Sequence, residues 1–171
     1  NVGSSEEVQR AYEAGARSVG LFRSEFLFFR AGMLPDEETQ YAAYRLAAET
    51  FHNGYVIVRT LDIGGDKQIP GIPIPAETNP FLGQRALRVL LQRPELFRTQ
   101  PRAILRSGVH GNVKLMFPMV SGVPELDRAL AIVEEVRDEL RSAGVSYDDS
   151  MEIGIMIEVP SAVWVADALA E

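Results

Sequence analysis

The chain has 171 residues, with 17 Lys+Arg against 24 Asp+Glu, a net charge of −7, no Cys, two His and one Trp. That length suits one domain of ordinary size, and 46% hydrophobic with 24% charged residues excludes a disordered or fibrous polypeptide. The lack of Cys excludes a disulfide scaffold, a zinc–thiolate site, an iron–sulfur cluster and a cysteine nucleophile within these residues. No apolar run approaches the roughly 20 residues of a membrane span, no signal-peptide pattern opens the chain, and the acidic balance argues against nucleic acid. A cytoplasmic protein with no membrane insertion is expected.

The first element is a helix. Ser4 and Glu7 have the spacing of a capping box, Val8, Ala11 and Tyr12 share a face, and Gly15 provides a stop. A short strand fits residues 18–22. Leu34-Pro35-Asp36-Glu37-Glu38 announces a second helix, with Tyr41, Tyr44, Ala48 and Phe51 on one face until Asn53-Gly54 breaks it. The β-branched run at 55–58 predicts a strand buried on both faces. Residues 61–80 carry Gly64-Gly65, Pro70-Gly71, Pro73, Pro75 and Asn79-Pro80, the punctuation of a loop. Helices are expected over 81–92 and 94–107, then a buried strand at 113–117 ended by Pro118. A long amphipathic helix follows over 125–143, a fourth strand at 153–157 and a last helix at 161–169.

Alternating strands and helices with apolar strands predict an α/β fold around a parallel sheet. A doubly wound open sheet and part of a (β/α)8 TIM barrel both fit. No G-x-G-x-x-G follows the first strand, so a dinucleotide fold gains no support. No internal repeat, low-complexity segment or composition break marks a second domain.

In parallel α/β folds, chemistry gathers just beyond the carboxyl ends of the strands. Those positions hold Arg23, Arg59, Met119 and Glu158. Two arginines suit an anion with two groups for bidentate capture, such as phosphate and carboxylate. The alternative for either is a structural ion pair. Glu158 beside them suits a divalent cation, since Mg2+ takes one or two carboxylates and completes its shell with substrate oxygens and water. Its alternative is a carboxylate favoured by the helix dipole ahead of Pro160. Arg85 is expected in the first turns of a helix, where amide donors also favour anions.

Of the 17 cations 15 are Arg, and the chain divides in charge, with residues 1–110 near neutrality and residues 111–171 strongly acidic. Arg88, Arg93, Arg98, Arg102 and Arg106 read as solvated or structural, spread around their helices. Gly64-Gly65-Asp66-Lys67 lacks the spacing of a phosphate loop. His52 and His110 sit beside loop-forming glycines without a partner at ligand spacing, so surface roles are expected for both.

Five stretches together resemble the C-terminal, phosphoenolpyruvate-binding domain of Enzyme I of the sugar phosphotransferase system. They are GLFRSEFLF (20–28), VRTLDIGGDK (58–67), NPFLGQRALR (79–88), LMFPM (115–119) and IGIMIEVP (153–160). The resemblance covers essentially the whole chain, and the 58–67 stretch sets it apart from pyruvate phosphate dikinases and phosphoenolpyruvate synthases. It implies a (β/α)8 barrel that forms a homodimer, takes a phosphoryl group from phosphoenolpyruvate with Mg2+, and passes it to a histidine on a separate domain and onward to HPr. By position, Arg23, Arg59 and Arg85 resemble the family's substrate-binding arginines, and Glu158 the first of two carboxylate ligands to Mg2+. The second ligand, a later arginine, the cysteine that protonates the enolate and the phosphohistidine domain have no match here. The expectation is therefore a piece of the barrel, four to five βα units long and inactive alone. The remaining alternatives are a piece of a related phosphoenolpyruvate synthase or pyruvate phosphate dikinase, and a non-catalytic binding or dimerisation module.

Overall fold

A computed structural model describes the chain apart from residues 31–33, 66–68, 70, 75–77 and 81–82. Four strands, β1 (Val19–Arg23), β2 (Val56–Arg59), β3 (Val113–Phe117) and β4 (Ile153–Ile155), form one parallel sheet in sequence order. Helices separate them: α1 (Ser5–Glu13) precedes β1; α2 (Glu25–Arg30) and α3 (Glu37–Thr50) join β1 to β2. Next, α4 (Leu87–Leu91) and α5 (Pro94–Ser107) join β2 to β3, α6 (Val123–Ser142) joins β3 to β4, and α7 (Pro160–Trp164) and α8 (Ala166–Ala170) follow. The α/β class and parallel sheet expected from the alternation are present.

The register explains which side chains meet. Phe22, Val58 and Leu115 are aligned across the first three strands, and all three are buried. They share a core with Phe97 and Ile104 of α5 and Val133 and Val136 of α6. Side chains alternate along a strand, so the next aligned row, Arg23, Arg59, Met116 and Gly154, belongs to the opposite face. Ile57, Lys114 and Met116 on that face are only half-buried. The β2 run is thus buried unequally on its two faces, not equally as its apolar sequence suggests. Helices α1, α3, α5 and α6 pack as successive neighbours, following the strand order.

Local chemistry sets the element ends. Ser4 caps α1 by accepting a hydrogen bond from Glu7 N, as its spacing predicts, but the Glu7 carboxylate accepts from Gly3 N rather than from Ser4 itself. Val2 then bridges to the outer edge of β1: Val2 N donates to Leu21 O at 3.0 Å, and Arg23 N donates to Val2 O at 2.8 Å. Asp36 caps α3 and accepts from Thr39 N at 2.8 Å.

Three expectations need correction, and helix α2 is an element that the sequence reading did not assign. The stretch 83–86 ahead of α4 is not helical, so only Leu87–Leu91 of the 81–92 expectation is helix; residues 81 and 82 lie outside the described set. Strand β4 ends at Ile155, two residues early, because β3 is its one neighbour and Ile157 is 50% exposed. The last helix is split at Val165. Exposed apolar side chains gather on this side of the sheet, with Val163 61% and Trp164 86% exposed. No described helix is long and apolar enough to cross a membrane.

Candidate anion-binding site

Arg23 and Arg59 end adjacent parallel strands at the same register position, so their side chains leave one face of the sheet about 5 Å apart at the backbone. Arg59 is 6% exposed. Its Nη2 donates to Glu25 Oε1 at 2.7 Å and lies 3.3 Å from Asp62 Oδ2, and Nη1 contacts Met156 Sδ at 3.8 Å. Glu25 and Asp62 are themselves buried, so the guanidinium and the two carboxylates compensate one another where none would be tolerated alone.

Arg85 joins this cluster through Asp62, which accepts from its Nε at 3.0 Å and its Nη2 at 3.2 Å in a bidentate pair. One carboxylate thereby fixes two arginines. The loop geometry makes this meeting possible. Gly64 pairs with Arg85 in an antiparallel bridge, and Ala86 N donates to Ile63 O at 2.7 Å. Gly64 has φ of +113°, and a Cβ there would lie 2.4 Å from Gln84 O, so glycine is required for the two segments to touch. Ala86, fully buried, carries φ of 47° and ψ of −122°, a conformation an L residue adopts only under constraint. Arg85 therefore stands before α4 in a bridged loop, not in the first turns of a helix as its sequence suggests.

Arg23 differs from the other two. It has no ion-pair partner among the described residues; its guanidinium lies over the Phe26 ring, with Cζ 4.7 Å from the centroid. Its Nε is a buried donor left without a hydrogen-bond partner among the described residues, as are Nε of Arg59 and Nε of Arg137 on α6.

Glu158 is exposed beyond β4, and its Oε1 accepts from Met119 N at 2.8 Å. Met119, beyond β3, has a positive φ of 58°. The same strand exits are joined by Met156 N donating to Phe117 O at 2.9 Å. Thus the strand-end residues Arg23, Arg59, Met119 and Glu158 do lie at one end of the sheet, with Arg85 brought to it by Asp62. Glu158 has no described contact with the arginines, and no group of three or more His, Cys, Asp or Glu side chains suited to a metal occurs among the described residues. Glu158 by itself offers this end of the sheet one exposed carboxylate, with Oε1 already engaged by Met119 N.

Sequence reasoning passed over Glu25 and Asp62. Their signal was local: an acidic residue two positions after Arg23 and another three positions after Arg59. The arginines of α5 are structural, but not spread around the helix. Arg98, Arg102 and Arg106 recur every fourth residue on one stripe of α5, where Arg102 Nε meets Glu37 at 2.8 Å and Arg98 meets Glu135 and Glu139. His52 is exposed beside Glu49 and Asn53. The His110 side chain, Asp66 and Lys67 lie outside the described residues. A surface cleft of about 520 Å³ between the starts of α3 and α5 includes none of the strand-end residues.

Compared with known proteins, the whole chain, residues 1–171, matches the family described as PEP-utilising enzyme, PEP-binding domain, PEP being phosphoenolpyruvate. The chain belongs to that family. Among its relatives are the phosphoenolpyruvate–protein phosphotransferases of Bacillus subtilis (strain 168) and Priestia megaterium, each 45% identical over 171 residues, and that of Staphylococcus carnosus (strain TM300), 44% identical. Each alignment covers all of this chain and 30% of the relative, so the chain spans under a third of the length of these curated transferases. The Enzyme I resemblance read from the five motifs agrees with this membership in the PEP-binding family.

Proposed function

We propose that this chain is the part of a phosphoenolpyruvate–protein phosphotransferase that holds phosphoenolpyruvate while its phosphoryl group leaves for a protein histidine. The single observation that carries this reading is the arginine cluster at the carboxyl end of the sheet. Asp62 pins Arg59 and Arg85 together, and Arg23 stands on the adjacent strand without a carboxylate. Guanidinium forks suit both charged ends of this substrate. Within a PEP-binding family, that arrangement supports the reading that phosphate and carboxylate bind among Arg23, Arg59 and Arg85. The parallel sheet with its helices in one row supports a (β/α)8 barrel, in which the Arg-bearing face points inward and further strands continue from β4 over Ile157 and Trp164.

In the reaction, the bond from the enolate oxygen to phosphorus breaks, a phosphorus–nitrogen bond forms on the acceptor histidine, and the enolate then takes a proton to give pyruvate. Charge leaves the phosphoryl group and collects on the enolate oxygen, where preformed cationic donors act most strongly. Arg59 and Arg85, locked by Asp62, hold position without reorganising; Arg23, unpaired, is free to close on the anion. Glu158 would hold a Mg2+ ion, which neutralises phosphoryl charge. The acceptor histidine and the acid belong to other parts of such an enzyme, with HPr as the next acceptor in sugar uptake. A cytoplasmic homodimer completes the proposal.

Calorimetric titration of this chain with phosphoenolpyruvate and Mg2+ tests it. Weak binding, abolished in Arg59→Ala, is expected; no heat at about millimolar ligand, where even a −4 kcal/mol interaction registers, would sink the reading. In a complete enzyme carrying these residues, Arg23→Ala and Glu158→Ala should each cut exchange between pyruvate and phosphoenolpyruvate by orders of magnitude.

A further inference from the structure

Asp62 is the hinge of the arginine cluster, yet it lies in a loop past the end of β2. The last ladder-type bond there is Thr60 N donating to Met116 O at 2.9 Å, and the next backbone tie is Ile63 O accepting from Ala86 N at 2.7 Å. Between them, Leu61 is 1% exposed, and its N–H would be an unsatisfied buried donor without a partner from elsewhere. The partner comes from α5, 39 residues away: Gln100 Oε1 accepts from Leu61 N at 2.7 Å.

Gln100 is in turn held from behind. Its Nε2 donates to the Tyr44 hydroxyl at 3.0 Å, that hydroxyl donates to Gln40 Oε1 at 3.3 Å, and Gln40 Nε2 donates to Pro35 O at 3.0 Å. All three side chains are at most 2% exposed. The direction of every bond is fixed. Turning the Gln100 amide over would set its NH2 against the Leu61 N–H and leave the tyrosine hydroxyl without its donor, so only one orientation satisfies both neighbours.

We propose that Gln100 is a positioning residue for the substrate arginines: anchored by Tyr44, it fixes Leu61 and thereby the place of Asp62, which sets Arg59 and Arg85. Helices α3 and α5 thus reach the site through a buried polar chain rather than through packing alone. The effect on substrate rests on the function proposed above; the effect on the arginines does not.

The test compares Gln100→Met, which keeps the volume and loses the amide, with Val136→Ala, a core change in α6 distant from the site that supplies a control for lost stability. Tyr44→Phe, which frees only the back of the amide, is the second variant should Gln100→Met fail to fold. In the 15N-labelled chain, exchange of the Arg85 Nε–H with water should quicken about tenfold in Gln100→Met, the effect of one lost hydrogen bond, and by less in Tyr44→Phe. Phosphoenolpyruvate affinity should fall by a similar factor. Val136→Ala should change neither. Arg85 exchange no faster in Gln100→Met than in the Val136→Ala control would overturn the proposal. If the unaltered chain takes up no phosphoenolpyruvate, the proposed function fails, and the exchange measurement still decides the role of Gln100.

Discussion

Replacing Asp62 by alanine is the most exacting test of the cluster, because it changes one buried charge that two arginines share. Asp62 is 1% exposed and receives Arg85 Nε at 3.0 Å, Arg85 Nη2 at 3.2 Å and Arg59 Nη2 at 3.3 Å. Removing one partner of a buried ion pair costs about 3–5 kcal/mol, most of it the charge left behind. Two features pull the figure to the lower end. Arg59 keeps Glu25 at 2.7 Å, and the Arg85 side chain is 16% exposed and so can recruit water. A loss of about 3 kcal/mol is expected, a large part of the 5–15 kcal/mol that stabilises most domains. Urea unfolding followed by far-ultraviolet circular dichroism measures it. With a slope of about 2 kcal/mol/M the midpoint should drop by about 1.5 M. Asp62→Asn separates charge from position. If charge alone governed anion capture, removing a carboxylate would tighten phosphoenolpyruvate binding; if Asp62 acts by holding the forks in place, affinity falls. A midpoint shift under about 0.3 M in Asp62→Ala, or tighter binding in Asp62→Asn, would refute the reasoning.

Three further outcomes follow from local geometry. Burial pushes the Tyr44 hydroxyl above the ordinary tyrosine range, against the hydrogen bond from Gln100 and with help from the Glu25 charge. The folded state therefore keeps a proton that the unfolded chain releases near pH 10, so stability is fully present below that pH and declines above it by about 1.4 kcal/mol per pH unit. Tyr44→Phe should lack this alkaline slope; parallel urea midpoints of the two proteins from pH 9 upward would count against it. Gly64→Ala drives a Cβ to within 2.4 Å of Gln84 O at a φ of +113° and should both destabilise the chain and weaken anion binding through Arg85, whereas binding equal to the unaltered chain would separate the bridge from the site. Asp36, the cap of α3, is held below the usual carboxylate range by hydrogen bonds from Thr39, first its side chain and then its backbone N–H. Its contribution is full above the unfolded value of about 3.9 and vanishes as pH falls through its own lower value, so the melting deficit of Asp36→Ala should be present at neutral pH and close in acid.

Much of this was legible in the sequence because it is written at short range. Ser4 and Asp36 announce helix starts by their own side-chain chemistry, and the apolar runs at β2 and β3 give strands whose exits carry Arg59 and Met119. Helix α2 was not legible: Glu25-Phe26-Leu27-Phe28-Phe29-Arg30 is a short, almost uniformly apolar run, and with Phe26 37% and Phe29 42% exposed it lacks the one-sided pattern that marks a helix. The reading of 81–92 as helix failed for a different reason. Leu87 to Leu91 do form a turn of helix, but Gly64 bridges Arg85 and Ala86 takes a positive φ, a constraint from 21 residues back along the chain that local propensity does not register. Nor could the Asp62–Arg85 pair be read, since it depends on that bridge and on a loop tethered by Gln100. What periodicity located was where the site stands; what holds it in shape is carried by pairs far apart in the chain.

The preference for arginine over lysine, ambiguous as composition, acquires a reason residue by residue. Arg59 serves Glu25 and Asp62; Arg98 serves Glu135 and Glu139; Arg102 reaches Glu37 at 2.8 Å and Glu139 at 3.5 Å; Arg106 joins Glu37 and Glu38. In each case one guanidinium spans two carboxylates, which needs a planar fork with donors on different edges and is beyond a single ammonium point charge. The three on α5 tie α3 to one side and α6 to the other; half-exposed and open to solvent, each such pair contributes little by itself, and what stability they add depends on their acting as a network. Gln100 lies on the same helix between Arg98 and Arg102, on the buried side. Helix α5 therefore does two jobs with two faces. Its outer stripe fixes where it stands against its neighbours, and that placement sets the depth at which Gln100 meets Leu61. The arginines outside the site and those within it are linked by a rigid element, with the acidic excess on α6 balanced in part by the basic stripe of α5.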